Sequence, residues 1–192
     1  MPQKPFEPVV KVPKVLRFAP DQEAAPHEFE PGDFILTHGK SWTSRLIRFG
    51  QGLRFWGANR RYAWWSHAAI IVSPDGALVE ALGAGVTRTH ISKYGPAEYH
   101  LVSISDIVAG ADDRNEAVAF AKWCIDMPYG YANIVSIAIS LLTGGKFTFG
   151  FDGQAICSGL VARALERTKA IFNRTPSHIM PADLAKYFQV QR

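Results

Sequence analysis

Thiols are scarce in this chain: of 192 residues only Cys124 and Cys157 carry one, and they do not form a CxxC pair. That excludes a disulfide framework or a four-cysteine zinc site, and leaves a single bridge between the two as a formal option. Long apolar runs are missing as well. The longest, IVSIAISLL at 134–142, is about half of what a transmembrane helix needs, so no membrane-spanning segment is expected. There is no glycine-rich phosphate loop, because Gly83 and Gly85 lack the strand and helix context of a dinucleotide fingerprint. The histidines and cysteines lack ligand-like spacing, so neither a metal nor a cofactor is expected. Blocks of Lys and Arg interleaved with aromatics are absent apart from NRRYAWW at 59–65, which argues against nucleic acid as a partner. The stretch MPQKPFEPVVKVPKV has no apolar core and carries four prolines, so it is no ordinary secretory signal, and synthesis in the cytoplasm is expected.

What is there reads as one globular domain. Apolar residues make up 47% and charged residues 20% of the chain, enough to bury a core. The net charge of +4 and a pI near 9.1 imply a mildly basic surface suited to an anionic partner such as a cell-wall polymer or a membrane. Residues 1–30 are rich in proline and charge and read as an extended arm lying on its own domain or on a protein partner. Residues 31–192 read as the folded domain.

That domain opens at EPGDFILTHG, where Pro31, Gly32 and Asp33 supply turn chemistry and FILT a short buried strand. Behind a Ser41 or Thr43 cap, Trp42, Leu46, Ile47 and Phe49 recur at helical spacing. AWWSHAAIIV, the turn SPDG, ALVEALGAGVTRTHI and EYHLVSI predict a meander of antiparallel strands. DDRNEAVAFAKWCIDM predicts an amphipathic helix ending before Pro128, with Ala117, Phe120, Ala121 and Cys124 on one face and Cys124 in the core. YANIVSIAISLLTGG predicts a second apolar helix stopped by Gly144 and Gly145, and KFTFGFDG an aromatic loop or strand. Ile156, Leu160, Val161, Ala164 and Leu165 place Cys157 in the first turn of a further helix, and Pro181 sits near the start of a short last one. The fold class is α+β, an antiparallel sheet packed against helices.

Cys157 is a packing residue or a nucleophile. At a helix N-terminus, unpaired N–H groups and the helix dipole favour a thiolate. Among six histidines, His67 stands out because it opens an otherwise apolar strand, where an imidazole costs free energy unless paired. With Val72 opposite Ala77 across the SPDG turn, His67 lies opposite Leu82 and diagonal to Glu80, whose carboxylate could orient the imidazole. A slip of one residue would send Glu80 to the other face. His90 and His100 are fallback orienters.

The series PGDFILTHG, SRLIR, WSHAAIIV, LVEALGAGV, PYGYANI, ICSGLVARAL and MPADLAKYF resembles the circularly permuted branch of the NlpC-type, papain-like cysteine peptidases, which includes YiiX-like cell-wall hydrolases and, more distantly, the lecithin retinol acyltransferase group. The likeness spans roughly residues 30–188, with histidine preceding cysteine as the permuted order requires. It implies Cys157 as nucleophile, His67 as general base and Glu80 as the polar third member. Oxyanion donors would include the backbone N–H of Cys157, with Tyr129 or Tyr131 as candidate side chains. Gln154 is too close to the cysteine to match the papain glutamine, and Asp33 reads as a brace for the fold. The Pro-rich arm and the insert LLTGGKFTFGFDG depart from the pattern.

The expectation is a thiol hydrolase that cleaves amide bonds in peptidoglycan stem peptides through a thioester and acts at the cell wall or within a virion-like particle. Two alternatives stand beside it. One is acyl chemistry on lipid or small amide substrates, with RFWGANRRYAWW and IVSIAISLL as groove-lining stretches. The other is a structural or tail-associated component of a phage-like particle.

Overall fold

The computed structural model describes residues 13–39, 42–105, 110–128, 157–168, 170, 172 and 176–191. The expected helix at 131–145, the KFTFGFDG segment, Tyr129, Tyr131, Gln154, the Ser41 cap and residues 1–12 of the arm lie outside them, as does the side chain of Thr43.

The chain is α+β. Among the described residues six strands, β1 (Val15–Phe18), β2 (Phe34–Thr37), β3 (His67–Ile71), β4 (Ala77–Leu82), β5 (Gly85–His90) and β6 (Tyr99–Val102), form one sheet in the order β1-β6-β2-β3-β4-β5. Every pairing is antiparallel. The described α-helices are α1 (Trp42–Arg54), α2 (Ala111–Trp123), α3 (Cys157–Leu165) and α4 (Pro181–Tyr187).

The turn chemistry of SPDG sets the register at the centre of the sheet. Gly76 takes φ 91°, its N–H donates to the Ser73 carbonyl at 3.1 Å, and the Val72 N–H donates to the Ala77 carbonyl at 2.8 Å. Ile70 then faces Val79 and Ile71 faces Leu78. A Cβ on Gly76 would lie 2.8 Å from Cγ2 of Ile91, so glycine is required there for space as well as for φ.

The meander holds for β3, β4 and β5 but does not continue into β6, which inserts between β1 and β2. Burial explains the jump. All four residues of β6 are buried, which suits a strand flanked on both sides, whereas β5 exposes or half-exposes Thr87 to His90 and suits an edge. Of the residues read as an arm, 15–18 form the opposite edge strand against β6, and Phe18 stacks on Tyr99 with ring centroids 4.9 Å apart. The Tyr99 hydroxyl accepts from the Ala24 N–H at 2.7 Å, tying the following loop to the same face.

Strand alternation divides the core. Ile35, Ala69, Ile71, Leu78 and Leu101 meet Phe18, Ala24 and Phe29 on one face. Leu36, Ala68, Ile70, Val79 and Val102 meet the helices on the other. Of the nine residues in α3 only Arg163 is exposed, so the helix lies in the middle of that layer, beside α2 and α4 and against β3 and β4. Burying side chains such as Leu160 and Leu165 stabilises by about 1.5–3 kcal/mol each. Ser158, also buried, donates to the Ile179 carbonyl at 2.6 Å and so locks the first turn of α3 onto the segment that leads into α4. Asp33 braces the fold: Oδ1 accepts from the Ile104 N–H at 3.0 Å and from Arg114 at 2.9 Å, and Oδ2 accepts from the Glu30 N–H at 2.9 Å. Cys124 is buried at the C-terminal end of α2, and both cysteines are free thiols, so no bridge joins them. No helix among the described residues is long and apolar enough to cross a membrane.

Candidate active site

Cys157 is the first residue of α3 and is almost wholly buried. The first N–H groups of a helix have no acceptor within it, so its opening turn offers donors to groups outside the helix, together with the positive end of the helix dipole. Backbone hydrogen bonds from Ser158, in that turn, and from Ala68, on β3, reach the sulfur. The thiol therefore sits where the end of the helix meets the start of the strand that carries His67.

Pairing between β3 and β4 is registered at Ile70–Val79 and Ile71–Leu78, while β4 stays paired with β5 as far as Leu82 and Gly85. Continuing the β3–β4 register puts His67 level with Leu82 and diagonal to Glu80 on one face. The two side chains meet there: His67 Nε2 lies 2.5 Å from Glu80 Oε2. Because Glu80 occupies Nε2, Nδ1 is the ring nitrogen left to hydrogen-bond the Cys157 sulfur, which lies within reach of the imidazole. Cys157, His67 and Glu80 thus stand in series.

Glu80 is fully buried and receives more donors than His67 alone. Thr89 Oγ1 donates to Oε1 at 2.5 Å, Lys93 Nζ donates to Oε1 at 2.7 Å, and the Tyr94 hydroxyl donates to Oε2. The Tyr94 ring also stacks beside that of His67, with centroids 6.1 Å apart. These three partners were not picked out from the sequence. Thr89 had a signal, since Thr87 faces Glu80 on β5 and Thr89 is its neighbour on the same face. Lys93 and Tyr94 had none, because they reach Glu80 only through the tight helical turn Ile91–Tyr94.

The charges follow from these contacts. Burial of Glu80 favours its neutral form, but the hydrogen bond and charge of His67, with Lys93 and Thr89, overcome it and hold the carboxyl well below the usual range. Burial likewise pulls the His67 imidazole down, yet the charge and hydrogen bond of Cys157, together with Glu80, raise it to about 10. Burial pushes the Cys157 thiol up, and the His67 charge, its hydrogen bond and the two backbone N–H groups bring it below the ordinary thiol value. Tyr94, buried beside the Glu80 carboxylate, is driven upward and stays a phenol. These contacts favour the Cys157 thiolate, the His67 imidazolium and the Glu80 carboxylate, with a neutral donor behind.

A cleft of about 750 Å³ opens onto the cysteine and histidine. Thr37, His38 and Trp64 form part of its wall, and Leu82, Tyr94 and Glu98 another part. The two fallback histidines stand elsewhere. His90 spends Nε2 on the Asp75 carbonyl at 2.6 Å and Nδ1 on Ser92 Oγ at 2.8 Å. His100 is buried against Trp65 with ring centroids 4.4 Å apart, and burial, with the charge of Arg17, lowers it to about 4. Tyr129 and Tyr131, the candidate oxyanion side chains, fall outside the described residues. Among the described residues no group of three His, Cys, Asp or Glu side chains could hold a metal ion.

No family model matches this chain, and no curated protein matches it in sequence.

Proposed function

We propose that this chain is a cysteine hydrolase that cleaves amide bonds through a thioester at Cys157. The observation that carries the reading is His67 held between the buried Glu80 carboxylate and the Cys157 sulfur. The Cys157 thiolate attacks the substrate carbonyl carbon, a C–S bond forms, and the carbonyl electron pair moves onto oxygen. The backbone N–H of Cys157, at the start of α3, is the proposed donor to that oxyanion. As the C–N bond breaks, the His67 imidazolium transfers its Nδ1 proton to the leaving amine. Water then attacks the thioester, Nδ1 takes its proton, and the acid leaves with the thiolate restored.

The order His67 before Cys157, with the Gly-Asp strand ahead of both, is that of the permuted papain-like group, and the resemblance supplies the substrate class: stem peptides of peptidoglycan. Mass spectrometry of muropeptides after incubation with the purified chain tests it. New cleavage products with wild type and none with Cys157→Ala are expected, and identical profiles for the two would overturn the reading.

One feature of the cleft favours a second reading, hydrolysis or transfer of acyl groups. Ile47, Trp64, Leu82 and Ala97 give part of the wall an apolar surface that an acyl chain could occupy. Turnover of a fluorogenic acyl ester without muropeptide cleavage would select it.

A further inference from the structure

Helix α1 buries one side and leaves a second apolar side in solvent. Ser44, Gln51 and Phe55 point inward, with the Gln51 side chain donating to the Trp65 carbonyl at 2.8 Å and accepting from the Ala182 N–H at 2.9 Å. On the outer side Leu46 is 38% exposed, Phe49 63%, Leu53 36% and Trp56 73%. Their spacing of three and four residues puts them in one stripe along the helix and just past its end. Trp56 is fixed in place, because its indole N–H donates to the Leu53 carbonyl at 2.6 Å.

The segment that carries the stripe has charge of one sign. Between Asp33 and Asp75 the sequence contains no acidic residue, while it contains Arg45, Arg48, Arg54, Arg60 and Arg61. Arg54 is taken by Asp183, at 2.5 Å and 3.0 Å. Arg45, Arg60 and Arg61 are exposed, and the Arg48 guanidinium lies 5.4 Å over the ring of Trp64, a residue of the cleft wall. Aromatic and aliphatic side chains in a stripe flanked by arginine are what an interfacial helix uses: the apolar part enters the boundary between headgroups and acyl chains, and the guanidinium groups meet anionic headgroups. A dissolved polyanion would engage the arginines and leave Phe49 and Trp56 in water, so the combination favours lipid.

We propose that the outer face of α1 docks this protein on an anionic bilayer surface, with Phe49 and Trp56 as anchors and Arg45, Arg60 and Arg61 as the headgroup contacts. The same helix contributes Ser44 and Ile47 to the cleft wall, so docking would bring the mouth of the cleft close to the lipid surface. The inference is independent of the hydrolase reading, since docking needs no chemistry at Cys157.

Cosedimentation of the full chain with vesicles of phosphatidylglycerol and phosphatidylcholine, against pure phosphatidylcholine, tests it. Wild type should partition onto the anionic vesicles and bind the zwitterionic ones weakly. Phe49→Asp/Trp56→Asp should weaken anionic binding by about tenfold or more, and Arg45→Gln/Arg60→Gln/Arg61→Gln should remove the preference for anionic lipid, both with unchanged circular dichroism. Three results would overturn the proposal: no binding by wild type to either vesicle, equal binding by the Phe49/Trp56 variant, or a dimer in light scattering that this variant dissolves while wild type ignores vesicles. Binding to inorganic polyphosphate that depends on the arginines alone, without vesicle binding, would likewise overturn it and assign the face to a soluble polyanion.

Discussion

The Glu80 carboxylate, with no exposed surface, lies 2.5 Å from Nε2 of His67, two positions along β4 from the residue level with that histidine. A diagonal contact across adjacent strands is longer than a direct one, and it closes here because both side chains are long enough to span it. Glu80 therefore orients the ring and favours its charged form, which in turn lowers the Cys157 thiol.

Alkylation should reveal that coupling. Because the His67 charge lowers the Cys157 thiol, iodoacetamide should modify Cys157 in the folded protein at a lower pH than it modifies an ordinary thiol. Cys124, which burial pushes up, should react only after unfolding. Peptide mass spectrometry distinguishes the two sites. Modification of Cys157 that rises only above pH about 8.5 would contradict the ion pair.

The pH profile of hydrolysis should show the imidazolium. His67 is raised to about 10, so the group that protonates the leaving amine is present below that pH and lost above it. The alkaline limb of kcat/KM should fall near pH 10, well above that of an ordinary histidine. His67→Asn should abolish turnover and return the alkylation midpoint of Cys157 to higher pH.

Glu80→Gln should keep the packing and lose the charge. Turnover is expected to fall about a hundredfold or more, with the alkaline limb moving below that of wild type. Breaking the buried pair should also cost roughly 3 kcal/mol at pH 7. A carboxyl held below its unfolded value of 4.5 contributes stability that is complete above that pH and is lost as pH falls through the folded value. The difference in Tm between wild type and Glu80→Gln should therefore be largest near neutrality and shrink below about pH 4.

Donors behind Glu80 should matter unequally. Tyr94→Phe removes a buried hydroxyl from a carboxylate that has no access to water and should cost about 1–3 kcal/mol in urea unfolding. Lys93 is 43% exposed, so Lys93→Met should change stability by only about 1 kcal/mol or less. Equal losses for the two would mean that the Lys93 contact is stronger than its exposure allows.

Two glycines with positive φ offer a contrast. Gly85 has φ 127° and a Cβ there would lie 2.8 Å from the Met127 carbonyl oxygen, a backbone atom that cannot swing aside. Gly57 has φ 57° with nothing within 4 Å. Gly85→Ala should destabilise by roughly 3 kcal/mol, combining strain with displaced backbone, and Gly57→Ala by about 1 kcal/mol. Thermal melts of both variants check the order.

Much of the site could be read locally. The SPDG turn supplies a register, strand alternation then puts His67 and Glu80 on one face, and helical spacing after Ile156 puts Cys157 in a first turn. Each of these depends on a few neighbouring residues. The oxyanion candidates Tyr129 and Tyr131 fall outside the described residues.

The sequence by itself determined the helical and strand segments around the site and the parity of the β3–β4 hairpin, because turn chemistry and the periods 2 and 3.6 act over short distances. Only the tertiary structure decided that β6 enters between β1 and β2, that the N-terminus of α3 meets the start of β3, and that Lys93 and Tyr94 close over Glu80. Those choices depend on which buried surfaces can cover one another and which buried charges can be satisfied together, and both are properties of the whole packed chain.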